Sequence, residues 1–288
     1  MGTIMSRSRP PRSGRPAAQR DAGKADRPAP APPSPGVPRP KPRRPGLLYG
    51  IHAVAAAWVN PARRCRALLA TESGLEALAP ALAEARTRGL DRPAPTVAER
   101  AELDRLVPPG TVHQGLVLDA APLPEVTLED LCDAAADKVR DAVVVLDQVT
   151  DPHNVGAILR SAAAFGAGAV VLPERNAPEV TGTLAKSASG ALEVVPLIRI
   201  VNLARTLDQL QEAGYWCVGL DETGTRTLAE MELSGRVALV LGAEGSGLRR
   251  LTRARCDDIA RLPTRPPIGS LNVSNAAAVA LYELARKG

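Results

Sequence analysis

The chain has 288 residues, enough for one or two domains, and its 45% apolar content is ample for a core although aromatics make up only 2%. No apolar run approaches the about 18 residues a membrane span needs. Cys65, Cys132, Cys217 and Cys256 are scattered without a C-x-x-C pair, which argues against a disulfide framework or zinc site and for a reduced, cytoplasmic setting. The net charge of +5 is unevenly divided: residues 1–45 carry 11 Lys/Arg against 2 Asp/Glu, and the rest carries 25 against 29.

Residues 1–45 hold twelve prolines and no aromatic residue. Such a segment cannot bury enough apolar surface to offset its ordering entropy, so it reads as a disordered basic tail. It lacks the h-region of a secretory signal, and its positive charge suits RNA phosphates. Folded structure begins at Leu47, with Gly50 breaking the chain before a helix from about His52. Strands are expected at Cys65–Ala70 and Gly115–Leu118, with helices near Leu75–Arg88 and Ala98–Leu106 between them. Residues 46–121 thus form a small α/β domain. Ala121 to Val139 starts with two prolines and turns into an acidic helix, so 122–138 reads as a linker.

From Asp141 onward, apolar runs alternate with helical stretches. Strands are expected at Val143–Leu146, Ala169–Leu172, Glu193–Pro196, Trp216–Gly219, Val237–Leu241 and Ile259–Leu262. Helices fall near Asn154–Phe165, Thr181–Ser189, Leu203–Ala213 and Leu248–Arg253. That alternation predicts a parallel sheet covered on both faces, so 139–288 is an α/β domain. The last helix is expected to start at Ser270 as its N-cap.

Three strand-to-loop-to-helix corners in this domain carry polar residues and glycine. The first follows VVVL with Asp151-Pro152-His153-Asn154-Val155-Gly156 and Arg160. The second follows VALVL with Gly242-Ala243-Glu244-Gly245-Ser246-Gly247. The third is Ser270-Leu271-Asn272-Val273-Ser274. In open α/β sheets ligand sites form at such carboxyl ends of strands. The glycine order fits neither G-x-G-x-x-G nor a P-loop, which disfavours NAD and a P-loop nucleotide. Arg160 lies off the apolar face made by Val155, Ile158, Leu159 and Ala162, so it meets solvent or a ligand. Glu244 is a carboxylate in a glycine loop, where it either orients a ligand or pairs with Arg249 or Arg250. Asn154 either caps its helix or orients a ligand. His52, His113 and His153 lie too far apart in sequence to suggest a metal cluster.

D-P-x-N-x-G-x-x-x-R, L-G-x-E-G-x-G and S-L-N-V-S, in that order, resemble the motifs of the SpoU/TrmH family. Its members are RNA ribose 2'-O-methyltransferases of the SPOUT superfamily. The resemblance covers roughly residues 46–288 and implies an α/β-knot fold for the second domain. It implies S-adenosylmethionine as cofactor, held around Gly242, Glu244, Gly245, Leu262, Ser270 and Leu271. Asn154, Arg160, Glu244, Ser270 and Asn272 become the catalytic candidates, and no metal is implied. Y-G-I-H-A-V near the start of the first domain, and Val112-His113-Gln114-Gly115 near its end, resemble the L30e-like RNA-binding domain of one subgroup. That subgroup methylates a guanosine in the peptidyl-transferase region of large-subunit rRNA, which makes His113, Gln114 and Arg160 expected RNA contacts and the protein a homodimer. Related chemistry on tRNA or another rRNA site, and a non-catalytic RNA-binding assembly factor, are the alternatives.

Overall fold

The structure is a computed structural model that describes residues 46–175, 177–265, 267 and 269–287. The predicted tail, residues 1–45, lies outside the described residues. The first domain opens with β1 (Leu47–Tyr49), α1 (Ile51–Val59), β2 (Cys65–Ala70) and α2 (Glu72–Thr87). It closes with β3 (Thr96–Val97), α3 (Arg100–Leu106) and β4 (Leu116–Ala120). Its sheet has the order β1-β4-β2-β3, with β4 antiparallel to both β1 and β2.

The acidic helix of the connecting segment is α4 (Leu128–Ala135), started by a Thr127–Asp130 capping box. Its Leu128, Leu131 and Ala135 are buried against the second domain's sheet, so this stretch is packed onto that domain. The second domain continues with β5 (Asp141–Asp147), α5 (Pro152–Ala164), β6 (Ala169–Pro173), α6 (Gly182–Ser187) and β7 (Leu197–Ile200). Then come α7 (Leu203–Glu212), β8 (Tyr215–Leu220), β9 (Arg226–Thr227), β10 (Arg236–Gly242), α8 (Arg250–Arg255), β11 (Asp258–Arg261) and α9 (Val273–Arg286).

Two expected elements differ. Glu193–Pro196 is not a strand: Ala191–Glu193 is a 3-10 turn entered through Gly190 at φ 91°, and the strand begins at Leu197. Glu193 is drawn out of extended backbone because its carboxylate binds Arg63 and Asn60 of the first domain. The N-cap of α9 is Asn272, not Ser270, because the Asn272 side chain accepts from the Ser274 N–H at 2.9 Å.

All seven strands of the large sheet pair in parallel, in the order β7-β6-β5-β10-β8-β11-β9. β5 and β10 are central and nearly all buried, as expected of apolar runs covered on both faces. One face meets α5, α6 and α9 and merges with the first domain's core through Val54, Trp58 and Leu118. The other meets α4 and α7. From β5 the chain builds outward through β6 and β7, then crosses to the opposite side, and β10 returns beside β5. The β5–β10 boundary is therefore the switch point where a crevice opens at the strand ends.

The residues between β8 and β10 wrap around β11. Asp221 N donates to Ala260 O at 2.9 Å, and a Cβ on Gly224 would lie 2.7 Å from Ala260 C. Among the described residues no helix is long and apolar enough to cross a membrane.

The four cysteines are free, and burial pushes the thiols of Cys217 and Cys256 up to about 12. A thiol this far above ambient pH holds almost no thiolate, the reactive form. Native protein at pH 8 is thus expected to leave both unlabelled by iodoacetamide, with labelling appearing on unfolding, as peptide mass spectrometry would read.

Candidate active site

Gly242 ends β10 and pairs in register with Asp147, which ends β5, so the first two motifs emerge side by side at the switch point. Asp147 is fully buried and charged, and Arg249 answers it with its backbone N–H at 2.9 Å and Nε at 2.6 Å. A buried carboxylate persists when paired and hydrogen-bonded in this way. The bridge fastens the far end of the glycine loop to β5. It also removes Arg249 as a partner for Glu244. The sequence offered one signal for this anchor, an aspartate closing an otherwise apolar strand.

Glu244 is instead held by two amides. Asn154 Nδ2 donates to its Oε1 at 3.0 Å and Asn272 Nδ2 donates to the same oxygen at 2.5 Å. Asn272 Nδ2 also donates to Asn154 Oδ1 at 3.0 Å, closing a ring among residues far apart in sequence. An ionised carboxylate only accepts, so both asparagines must present NH2 to it. Asn272 Oδ1 is then free to cap α9. Asn154 is not the cap of α5, since Asp151 accepts from the His153 N–H at 3.0 Å. The ring thus assembles one residue from each motif.

The glycines of the second motif serve different ends. A Cβ on Gly242 would lie 2.1 Å from Gly247 C and 2.4 Å from Leu248 N, so Gly242 is needed for the loop to fold back on itself rather than for direct ligand approach. Gly245 has φ 80° and nothing within 4 Å of its Cβ position, which leaves open space at the loop tip. Gly242→Ala is therefore expected to weaken S-adenosylhomocysteine binding more than about tenfold. Gly245→Ala costs only the left-handed conformation, about 1–2 kcal/mol. Isothermal titration of both variants separates the two roles.

The third motif supplies Ser270, exposed, and Leu271, 41% exposed, while Leu262 packs partly into the core. Arg160 is exposed on α5 and has no ion-pair or side-chain hydrogen-bond partner among the described residues. Glu244 does not reach it. The expected RNA contact His113 is 0% exposed. Gly115 N donates to its Nδ1 at 3.1 Å, which leaves Nε2–H to donate to Asp104 at 3.0 Å. The imidazole therefore builds the turn and offers no edge to a ligand. Gln114 beside it is exposed and left-handed at φ 55°.

Residues 141–282 match the SpoU rRNA Methylase family, and residues 47–126 match the family described as RNA 2'-O ribose methyltransferase substrate binding. The 23S rRNA (guanosine-2'-O-)-methyltransferase RlmB of Vibrio cholerae is 41% identical over 242 residues, 84% of this chain and 96% of that protein. The chain belongs to the SpoU methylase family. RlmB of Escherichia coli K12 is 39% identical over 242 residues, covering 84% of this chain and 98% of its own. A SpoU methyltransferase of known structure, AviRb from Streptomyces viridochromogenes in complex with AdoMet, superposes with a TM-score of 0.67. It covers 84% of this chain and 89% of that chain at 24% identity, a likeness of fold. The SpoU α/β-knot fold accounts for the wrapping of residues 221–235 around β11 and for the return of α9 onto α5.

The site fits the family's cofactor by its own chemistry. The tip of the glycine loop and the 269–272 segment are exposed, Leu262 and Leu271 offer apolar surface, and a Cβ on Gly245 would meet nothing within 4 Å. Such a mixture of apolar walls and a few polar groups suits a nucleoside-bearing ligand.

Proposed function

We propose that the chain is an S-adenosylmethionine-dependent methyltransferase that modifies the 2'-hydroxyl of a guanosine in 23S rRNA, in the peptidyl-transferase region. The observation that carries the chemistry is the Asn154–Glu244–Asn272 ring beside the loop of Gly242 and Gly245, with Arg160 exposed on the same helix as Asn154 and without an ion-pair partner among the described residues. The choice of substrate rests on the relatives' activity at about 40% identity over nearly their full length.

The cofactor supplies an activated methyl group, so the protein's task is alignment and management of the hydroxyl proton. Backbone at Gly245, Leu262, Ser270 and Leu271 holds the cofactor, and Gly242 lets the loop that carries Gly245 fold back on itself. Asn154 and Asn272 are rigid because Glu244 accepts from both, and the remaining carboxylate oxygen of Glu244 orients the ribose or base. Arg160 keeps its charge at any working pH. It acts as a fork that grips an RNA phosphate and stabilises negative charge developing on the 2'-oxygen, while water or phosphate takes the proton. Gln114 contacts RNA from the first domain.

The enzyme works as a cytoplasmic homodimer. Supporting this, α9 exposes Val279 and Tyr282 on one stripe with Asn275, and Leu271 just before it is also exposed. An apolar stripe of this kind asks for a partner.

The test incubates purified protein with methyl-labelled S-adenosylmethionine and unmodified large-subunit rRNA, and maps resistance to alkaline cleavage. One protected guanosine in the peptidyl-transferase region is expected. Label confined to tRNA would keep the chemistry and overturn the substrate, and RNA binding without label would indicate an assembly factor.

A further inference from the structure

The seam between the two domains carries a feature that the methyl-transfer chemistry does not use. Gln114 and Lys186 stand side by side over Gly50. A Cβ on Gly50 would lie 3.1 Å from Gln114 Oε1 and 3.4 Å from Lys186 Cγ. Gln114 Oε1 accepts from Ile51 N at 3.1 Å, so its carbonyl is used and its NH2 is left. Lys186 Nζ donates to Val112 O at 2.7 Å, which uses one of three N–H groups. The next residue, Ser187, meets His153 Nδ1 through Oγ at 3.1 Å; with the hydroxyl donating to Nδ1, Nε2–H is left to donate to a ligand. His153 precedes Asn154 of the ring. It also lies seven residues before Arg160, two turns along the same face of α5 and about 10 Å away, with only the small Ala157 between them. Among the described residues no carboxylate pairs with Lys186, His153 or Arg160.

We infer that Gln114, Lys186, His153 and Arg160 form a continuous track for the phosphates of the RNA strand that flanks the target nucleotide, with Lys186 and His153 as the contacts joining the two domains. A phosphodiester strand carries one charge per nucleotide and accepts hydrogen bonds only, which matches a row of side chains that no carboxylate pairs with among the described residues, the neighbouring Asp151 being engaged by the His153 backbone N–H. Ordering supports the same reading. The Gln114 turn is fixed by buried His113, Lys186 is tied to that turn, and His153 is tied to Ser187, so the donors are held before RNA arrives. The two intermediate donors set the distance between the place where the first domain holds RNA and the place where the methyl group is transferred.

The track rests on the reading of the chain as an RNA methyltransferase, and its test separates the two. Binding of a 23S rRNA fragment would be measured against salt for wild type, Lys186→Gln, Lys186→Arg and His153→Ala, alongside KM for RNA, kcat and thermal unfolding. Lys186→Gln is expected to lower the slope of log K against log salt by about 0.7. It should raise KM several-fold, with kcat at saturating RNA within about twofold of wild type. Lys186→Arg should restore the slope, which a loosened domain contact would not explain. His153→Ala should raise KM in the same way with unchanged unfolding temperature. Wild-type slope and KM in both Lys186→Gln and His153→Ala, or no RNA binding by wild type, would overturn the track. Altered slopes in a protein that binds RNA without methylating it would uphold the track and overturn the assigned reaction.

Discussion

Arg160→Ala is expected to slow single-turnover methylation of a 23S rRNA fragment by roughly a hundred- to a thousandfold, the range seen when a preorganised donor to a developing oxyanion is removed. S-adenosylmethionine affinity should stay within about threefold, because among the described residues no hydrogen bond or ion pair joins Arg160 to the glycine loop, whose Glu244 is held by Asn154 and Asn272. Among the described residues the exposed side chain has no hydrogen-bond or ion-pair partner to lose, so the unfolding temperature should not move. Arg160→Lys discriminates further. A lysine keeps the charge but not the planar two-pronged geometry that matches a phosphate. Near-wild-type turnover in that variant would show that the fork is irrelevant and that only charge counts.

The second large effect concerns stability. Arg63 and Glu193 are each 5% exposed and form a two-pronged pair across the domain seam, with Nε to Oε2 at 3.2 Å and NH2 to Oε1 at 2.5 Å. Asn60 Nδ2 adds a bond to Oε2 at 2.8 Å, and Arg63 NH1 reaches Ala121 O at 2.8 Å. Glu193→Ala leaves a guanidinium buried without its counter-charge, which costs about 3–5 kcal/mol. Set against a usual stability of about 5–15 kcal/mol, that loss should lower the denaturation midpoint markedly. The combination Arg63→Met with Glu193→Leu removes both charges and should recover most of it. Urea unfolding of wild type and the two variants checks this. Equal losses in the single and double variants would mean that packing, and not the unpaired charge, governs the seam.

The sequence made the strands of the second domain legible because they are apolar runs buried on both faces. Val143–Leu146 and Val237–Leu241 fall inside β5 and β10. Arg160 was legible for a related reason, since helical periodicity alone places it opposite Val155, Ile158 and Leu159. Glu193 was not: in LEVVPLIRI nothing local distinguishes a strand from a turn, and the deciding partner, Arg63, lies 130 residues away. The Asn154–Glu244–Asn272 ring was hidden for the same physical reason, because periodicity describes one element at a time. The cap of α9 failed differently. Ser270 and Asn272 are both good N-cap residues, and only the placement of Asn272 between Glu244 and Ser274 selects it. Buried His113 gave no warning either, as Gly115 sits in an ordinary-looking turn and the second partner, Asp104, lies on α3 nine residues earlier.

The ring also has a consequence for timing. Asn154 and Glu244 leave the ribosome before Asn272, and the β5, α5 and β10 segments that carry them can already be in place. The last member takes its place only with α9, which it caps and which packs on α5. A growing or incompletely folded chain therefore cannot hold Glu244 from both sides. With the ring in the role proposed for it, competence to modify RNA is postponed until the fold has closed, so a half-made protein would be catalytically silent.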